Sequence, residues 1–233
     1  MRDKAIEEIF GLANAEKRSF LFEHEAKELC SLYGLPVTKF EVCKSEDSAV
    51  KAANKIGYPV VLKIVSPQVL HKSDAGGVVL DVRDDKGVRE SYNRIIRNVK
   101  EKVPDAQITG ILVQEMAPKS TEIIIGSTRD QTFGKTIMFG LGGIFVEILK
   151  DVSFRLVPIT KNDAEEMIRE IKAYKILEGA RGMPKADQKT LVEILLKTSD
   201  MLMESPEIKE LDLNPILVYE NGAKIVDARV ILE

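Results

Sequence analysis

Along the chain the apolar positions follow two rhythms, one near 3.6 residues and one of two residues, so helices and strands are interleaved. Ala26, Leu29 and Tyr33 form an apolar stripe, and the stretch from about Lys4 to Tyr33 reads as two helices that Gly34 ends. Val37 to Cys43 alternates as a strand, and Ser45 then caps a helix through Ala49, Val50, Ala53 and Ile56. Val60 to Val65 and Gly77 to Val82 are short apolar runs, read as strands joined by a polar loop. Asp85 to Lys102 is a charged amphipathic helix, and Gly110 to Met116 is a strand leading to a turn at Pro118.

From Thr121 the pattern becomes a succession of strands separated by Gly and polar turns: TEIIIGSTRD, GKTIMFGLGG, GIFVEIL (143–149) and SFRLVPI. Two amphipathic helices follow, Lys161 to Ile171 and Asp187 to Glu204, and the chain closes on a hairpin turning at Glu220-Asn221-Gly222. Regular βαβ alternation is absent, which predicts an α+β fold over a doubly wound sheet. No internal repeat or Gly/Ser-rich linker marks an independent domain, so residues 1–233 read as a single module. Within it we expect an N-terminal lobe over 1–112 and a C-terminal lobe over 113–233.

Composition narrows the function classes. Lys plus Arg (34) nearly balance Asp plus Glu (37), and a net charge of -3 gives no field that attracts nucleic acid or anionic lipid. Neither a nucleic acid nor a membrane is expected as partner. The acidic opening has no signal-peptide pattern and no apolar run reaches spanning length, so a cytoplasmic location is expected. Cys30 and Cys43 lack C-x-x-C spacing and read as buried free thiols.

Three constellations carry chemistry. Lys63, between Leu62 and Ile64, either snorkels to water from an outward strand face or meets an anion such as phosphate. His71 shares a loop with Lys72, Ser73, Asp74, Gly76 and Gly77, where glycine N–H groups can approach an anion and a neutral imidazole can attack a phosphoryl group. The alternative for His71 is an ordinary polar turn before a strand, and His24 falls on a helix surface. Asp212 and Asn214 lie on one face of a strand, and Asp227 on the returning strand can face them. Oxygen ligands of this kind suit Mg²⁺; solvated acids on a hairpin are the other possibility. The Gly140-Leu141-Gly142-Gly143 run is followed by what reads as a strand, which argues against a dinucleotide fingerprint, and no P-loop, catalytic triad or H-E-x-x-H is present.

Taken in order, VLKI around Lys63, the loop ending at Gly77, VQEM with Glu115, TEIIIG with Glu122 and the late D-x-N resemble an ATP-grasp fold. That resemblance implies two α+β lobes with mainly antiparallel sheets clamping the nucleotide. More specifically, SPQVLHKSDAGGV, FGLGGIFVEILKDVSFRLVP and ELDLNPILV resemble the β subunit, or fused β portion, of ADP-forming acyl-CoA synthetases, from about Phe20 to the end. Members of that family interconvert acyl-CoA, ADP and phosphate with acid, CoA and ATP through an acyl phosphate and a phosphohistidine. The resemblance implies ATP or ADP as substrate and Mg²⁺ as cofactor. It also implies Lys63 on nucleotide phosphate, Gln114, Glu115 and Met116 beside the adenine, and Glu122 near the ribose. Asn214 and Asp227 resemble Mg²⁺ ligands, with Asp212 as a further ligand or as partner of a phosphohistidine. Arg155 is expected as a phosphate clamp, because its planar fork suits phosphoryl oxygens.

The family's CoA-binding and acyl-transfer domains have no counterpart in these 233 residues, which implies an α subunit carrying them, in an α2β2 assembly. His71 is then expected to carry phosphate to ADP on a mobile loop, with Gly76 and Gly77 as hinge. Two other readings stay open: a stand-alone ATP-grasp carboxylate ligase, and a non-catalytic ATP-sensing subunit.

Overall fold

The computed structural model describes residues 2–69, 71–143, 146, 148–180 and 184–233. Its first elements are α1 (Arg2–Ala15), β1 (Phe20–Leu21), α2 (Glu23–Leu32), β2 (Phe40–Cys43), α3 (Glu46–Ile56), β3 (Val60–Val65), β4 (Val78–Val82), α4 (Asp85–Lys102) and β5 (Gly110–Glu115). There follow β6 (Thr121–Asp130), β7 (Gly134–Leu141), β8 (Val152–Leu156), α5 (Lys161–Glu170), α6 (Tyr174–Leu177), α7 (Gln188–Glu204), β9 (Ile208–Val218), β10 (Ala223–Ile225) and β11 (Ala228–Leu232). These elements form two compact units, Thr38–Pro118 and Met1–Val37 with Lys119–Glu233.

The continuous unit holds a four-stranded antiparallel sheet, order β2-β5-β3-β4. Leu62, Ile64, Ile111 and Val113 share a core with Ala49 and Ala53 of α3 and with Val88, Ile95 and Val99 of α4. Both helices start on capped amides: Ser45 accepts from Ser48 N–H at 3.2 Å, and Asp84 from Gly87 N–H at 2.7 Å. Strand alternation then fixes which side chains face away from the helices. Lys63, Leu112, Val61 and Gln114 are direct cross-strand neighbours on that opposite face. The expected strand from Val37 begins only at Phe40, because Val37 bridges to Ile225 in the other unit's sheet.

The discontinuous unit holds a seven-stranded sheet, order β1-β11-β9-β6-β7-β8, with β10 paired to β9, and these strands all pair antiparallel. Ile123, Ile125, Ile137, Phe139, Leu211 and Leu213 face a core that α2, α5 and α7 complete. Residues 1–37 belong here, whereas the sequence reading divides the chain once, at 112. The cause is long-range: β1 adds to β11 through Phe20↔Ile231 and Leu21↔Val230, and Ala26, Leu29 and Cys30 of α2 are fully buried in this core. The α2 helix ends as Gly34 predicts, with Gly34 at φ 70°, its N–H on Ser31 O and the Leu35 N–H on Cys30 O.

One expected strand is absent from the described residues. Of 143–149, residues Ile144, Phe145 and Glu147 lie outside them; Gly143 has φ 60°, the Val146 N–H donates to Gly143 O, and Ile148 and Leu149 are exposed. The described part holds turn residues and one helical position, Val146, and no strand. A dinucleotide fingerprint is still excluded, now by topology, because the flanking strands are antiparallel and not part of a parallel βαβ unit. Cys30 and Cys43 are both buried free thiols, as expected, and burial pushes them up to about 12 and about 11.

Leu213 is 0% exposed and sits in β9 between two outward polar residues, so its packing sets their direction. Leu213→Ala should cost about 2–5 kcal/mol, read as a lower melting temperature in thermal unfolding, and a loss under about 1 kcal/mol would show that this packing is not what holds the strand.

Candidate functional site

The long strand β9 is not regular, and its irregularity builds the candidate site. In β9, Leu213 pairs with Ile125 and Ile216 pairs with Ile123, so Asn214 and Pro215 together oppose the single residue Ile124 of β6. This is a β-bulge, a device that bends a strand and re-aims side chains; Pro215, which has no N–H to give, fits there. On the other side of β9 the ladder passes from β10 to β11 at the same level. The Asn214 N–H donates to Asp227 O at 3.2 Å and the Val226 N–H to Pro215 O at 3.0 Å. Asp212, Asn214 and Asp227 are thereby brought together.

Their electrostatics follow from the packing. The Asp212 carboxyl is pushed above the usual carboxylate range, first by burial and then by the neighbouring Asp227 charge. Arg229 and a hydrogen bond from the Asn214 side chain act the other way. Arg229 is the direct cross-strand partner of Asp212, a residue the sequence reading passed over. Its signal was present in the period-two spacing from Asp227 to Arg229, but only the β9–β11 register shows where the guanidinium falls.

Along the same row of the sheet, Asp212 is followed by Gly126, Met138 and Phe154 on β6, β7 and β8. A Cβ at Gly126 would lie 3.1 Å from Met138 Cε, so glycine here lets the Met138 side chain lie against the strand beside the carboxylate. A cavity of about 290 Å³ is lined by Ile124, Gly126, Met138, Phe154, Asp212 and Arg229 among others.

Two further expected residues of this unit fall differently. Glu122 is exposed, on the Asp212 side of β6, and its carbonyl accepts the Gly142 N–H at 2.8 Å. Arg155 pairs with Ile137 and therefore shares the core side of the sheet, opposite to Asp212. Its Nη1 donates to Glu170 Oε2 at 2.8 Å, and Nη2 lies 3.5 Å from Glu166 Oε2. A phosphate clamp at Arg155 would have to leave two carboxylates of α5, and the structure does not bring it to the Asp212 group.

In the other unit, Lys63 is 7% exposed and Gln114 0%, so Lys63 is not the solvated strand lysine that alternation alone allows. Glu115 ends β5 with its carboxylate accepting the Lys39 N–H at 3.1 Å, while the Met116 N–H donates to Pro59 O at 3.2 Å. These bonds fix the strand end that follows Gln114.

His71 is exposed at the start of a closed turn. The Ala75 N–H donates to His71 O at 3.3 Å, the Gly76 N–H to Ser73 O at 3.0 Å and the Gly77 N–H to Lys72 O at 2.7 Å. The glycine amides are thus spent within the turn in this state and not turned toward a ligand. Gly76 has φ 66°, and a Cβ on Gly77 would sit 2.5 Å from Ile64 Cγ2. Both glycines permit this close packing of the turn.

Residues 12–232 match the ATP-grasp domain family. The acetate–CoA ligase [ADP-forming] I subunit beta of Pyrococcus furiosus is 54% identical over 225 residues, 97% of each chain. The chain belongs to the ATP-grasp family, among the β subunits of ADP-forming acyl-CoA synthetases. A solved structure of the dinucleotide-forming acetyl-coenzyme A synthetase 1 of Ca. Korarchaeum cryptofilum, in complex with coenzyme A, Ca-AMPCP and HgCl+, superposes with a TM-score of 0.95 at 52% identity, covering 97% of this chain and 99% of that one. The 4-hydroxybutyrate–CoA ligase [ADP-forming] of Nitrosopumilus maritimus is 46% identical over 95% of this chain, which spans 32% of that longer protein.

For this β subunit the donor set can be tested against a metal. Among the described residues no group of three or more His, Cys, Asp and Glu side chains could hold one. The Asp212–Asn214–Asp227 group offers two carboxylates and an amide, a sparse oxygen set that fits Mg²⁺ keeping waters and sharing phosphate oxygens. A carboxyl held up by burial and by a neighbouring carboxylate, as Asp212 is, is what a divalent cation relieves. Since the folded pKa of Asp212 is raised, its ionisation costs stability above that pKa, and the cost disappears as pH falls below the ordinary value. Asp212→Asn should therefore melt above the wild type at pH 7.5 without metal, by about 2–4 °C per kcal/mol relieved, and the difference should shrink toward about pH 4. A variant that melts lower, or a difference independent of pH, would remove the electrostatic reading.

Proposed function

We propose that this β subunit binds Mg·ADP or Mg·ATP and moves a phosphoryl group between the nucleotide and a phosphohistidine, in a synthetase completed by a CoA-binding partner. The observation that carries the reading is the β9 bulge, which gathers Asp212, Asn214 and Asp227 beside a cavity that Gly126 helps to line. Asn214 and Asp227 would hold Mg²⁺, which on binding supplies charge to offset the phosphate oxygens. Asp212 would hydrogen-bond the phosphorylated imidazole or its released N–H, with Arg229 tempering its charge. Lys63 would meet nucleotide phosphate, Gln114, Glu115 and Met116 the adenine, and Glu122 the ribose. Arg155 is left out, since α5 holds its guanidinium.

In the ATP-forming direction an oxygen of the ADP β-phosphate attacks phosphorus, the N–P bond breaks, and the electron pair returns to the imidazole nitrogen. Positioning and charge supply most of the acceleration in such transfers. His71, exposed at the head of its turn, would carry the phosphate, and its exposure supports that reading. Support for a partner comes from the relative named a subunit beta and from the longer relative of which this chain spans about a third. We place the CoA-binding and acyl-transfer domains on an α subunit, in an α2β2 assembly in the cytoplasm. Among the described residues no helix is long and apolar enough to cross a membrane.

Incubation with Mg·ATP should add one acid-labile phosphate to the chain, seen by intact mass, and His71→Asn should reduce the incorporation by about a hundredfold or more. Phosphate gained equally by the variant would assign the carrier elsewhere.

A further inference from the structure

The exposed His71 turn is fastened to α4. The Asn98 Nδ2 donates to Gly76 O at 3.2 Å, and Lys102 Nζ donates to Asp74 O at 2.6 Å. Asn98 and Lys102 are four residues apart, so they lie on one face of the helix and reach two carbonyls of the same turn. Each carbonyl would otherwise point outward from a turn whose amides at 75, 76 and 77 already donate inward. Glycine makes the contact possible: a Cβ on Gly76 would stand 2.8 Å from Asn98 Nδ2. On its other side the turn is held to the sheet, with the Ile64 N–H donating to Gly77 O at 2.7 Å, and Ala75 is buried in the unit's core.

We propose that Asn98 and Lys102 are positioning residues for His71: they latch the turn to the last part of α4, so the imidazole is presented from a fixed platform and phosphate is brought to it. This rests on the reading of His71 as the phosphate carrier. A turn held by one charge-assisted and one neutral hydrogen bond keeps a single geometry at little cost in stability, because Lys102 is exposed and Asn98 half-buried. What the latch supplies is direction. A reacting group displaced by even an ångström loses rate steeply, while nucleotide binding by other residues is untouched.

The test compares wild type, Asn98→Ala, Lys102→Met, their double variant and Lys102→Arg, each as the full chain. With Mg·ATP, the double variant should gain acid-labile phosphate at least about tenfold more slowly than wild type, with an unchanged Kd for Mg·ADP. Lys102→Arg keeps a donor and should stay near the wild-type rate. Hydrogen exchange at the Ala75, Gly76 and Gly77 amides should quicken in the double variant, with the protection of β3 and α4 unchanged. A double variant phosphorylated at the wild-type rate with unaltered exchange would overturn the latch. If the wild type itself gained no phosphate, the carrier reading would fall instead, and quickened exchange in the double variant would still show the turn to be held from α4.

Discussion

One extra residue in one strand governs which polar side chains of the larger sheet meet. Because Asn214 and Pro215 together oppose Ile124, β9 bends at the level where its other neighbour changes from β10 to β11. Without that bulge, strict alternation would run unbroken past Asn214, and Asp227 would be one more ladder residue. With it, two carboxylates and an amide meet while Leu211 and Leu213 stay in the core on either side of Asp212. The carboxylate is expensive to ionise there, and folding tolerates this because the flanking leucines hold the strand in place. Strain of this kind, set against a secure core, is common where a fold must keep a ligand's place ready.

The surrounding elements repeat the same division of labour. In the larger sheet, one face packs against α2, α5 and α7 and the other carries the row Arg229, Asp212, Gly126, Met138, Phe154. In the smaller sheet, one face packs against α3 and α4 and the other carries Lys63 and Gln114. Period-two alternation thus separates the core face from the face of the candidate site residues in both units. The His71 turn of the smaller unit is held by hydrogen bonds to α4 on one side and, through Gly77 O, to β3 on the other.

Much of this was legible in the sequence, for local reasons. The caps at Ser45 and Gly34, the strand around Lys63, the helix Asp85–Lys102 and the D-x-N spacing are all set by neighbours within a few residues. What escaped was long-range. The assignment of residues 1–37 depends on β1 meeting β11 from the far end of the chain, and the start of β2 moved because Val37 bridges to Ile225. Arg155 looked like a free fork until α5 supplied Glu166 and Glu170 on its side of β8. The bulge could not be read at all, since it is defined by what stands across from Asn214, and the same register was needed to see Arg229 beside Asp212.

The claim that the bulge makes a divalent-cation site is open to a direct measurement. Mn²⁺ takes the same oxygen ligands as Mg²⁺ and is paramagnetic, so it broadens NMR signals near where it binds. Titrated with ADP into ¹⁵N-labelled chain, it should broaden the side-chain amide of Asn214 and the backbone amides of Leu213 and Ala228 first. Signals that vanish elsewhere while these three stay sharp would contradict the account.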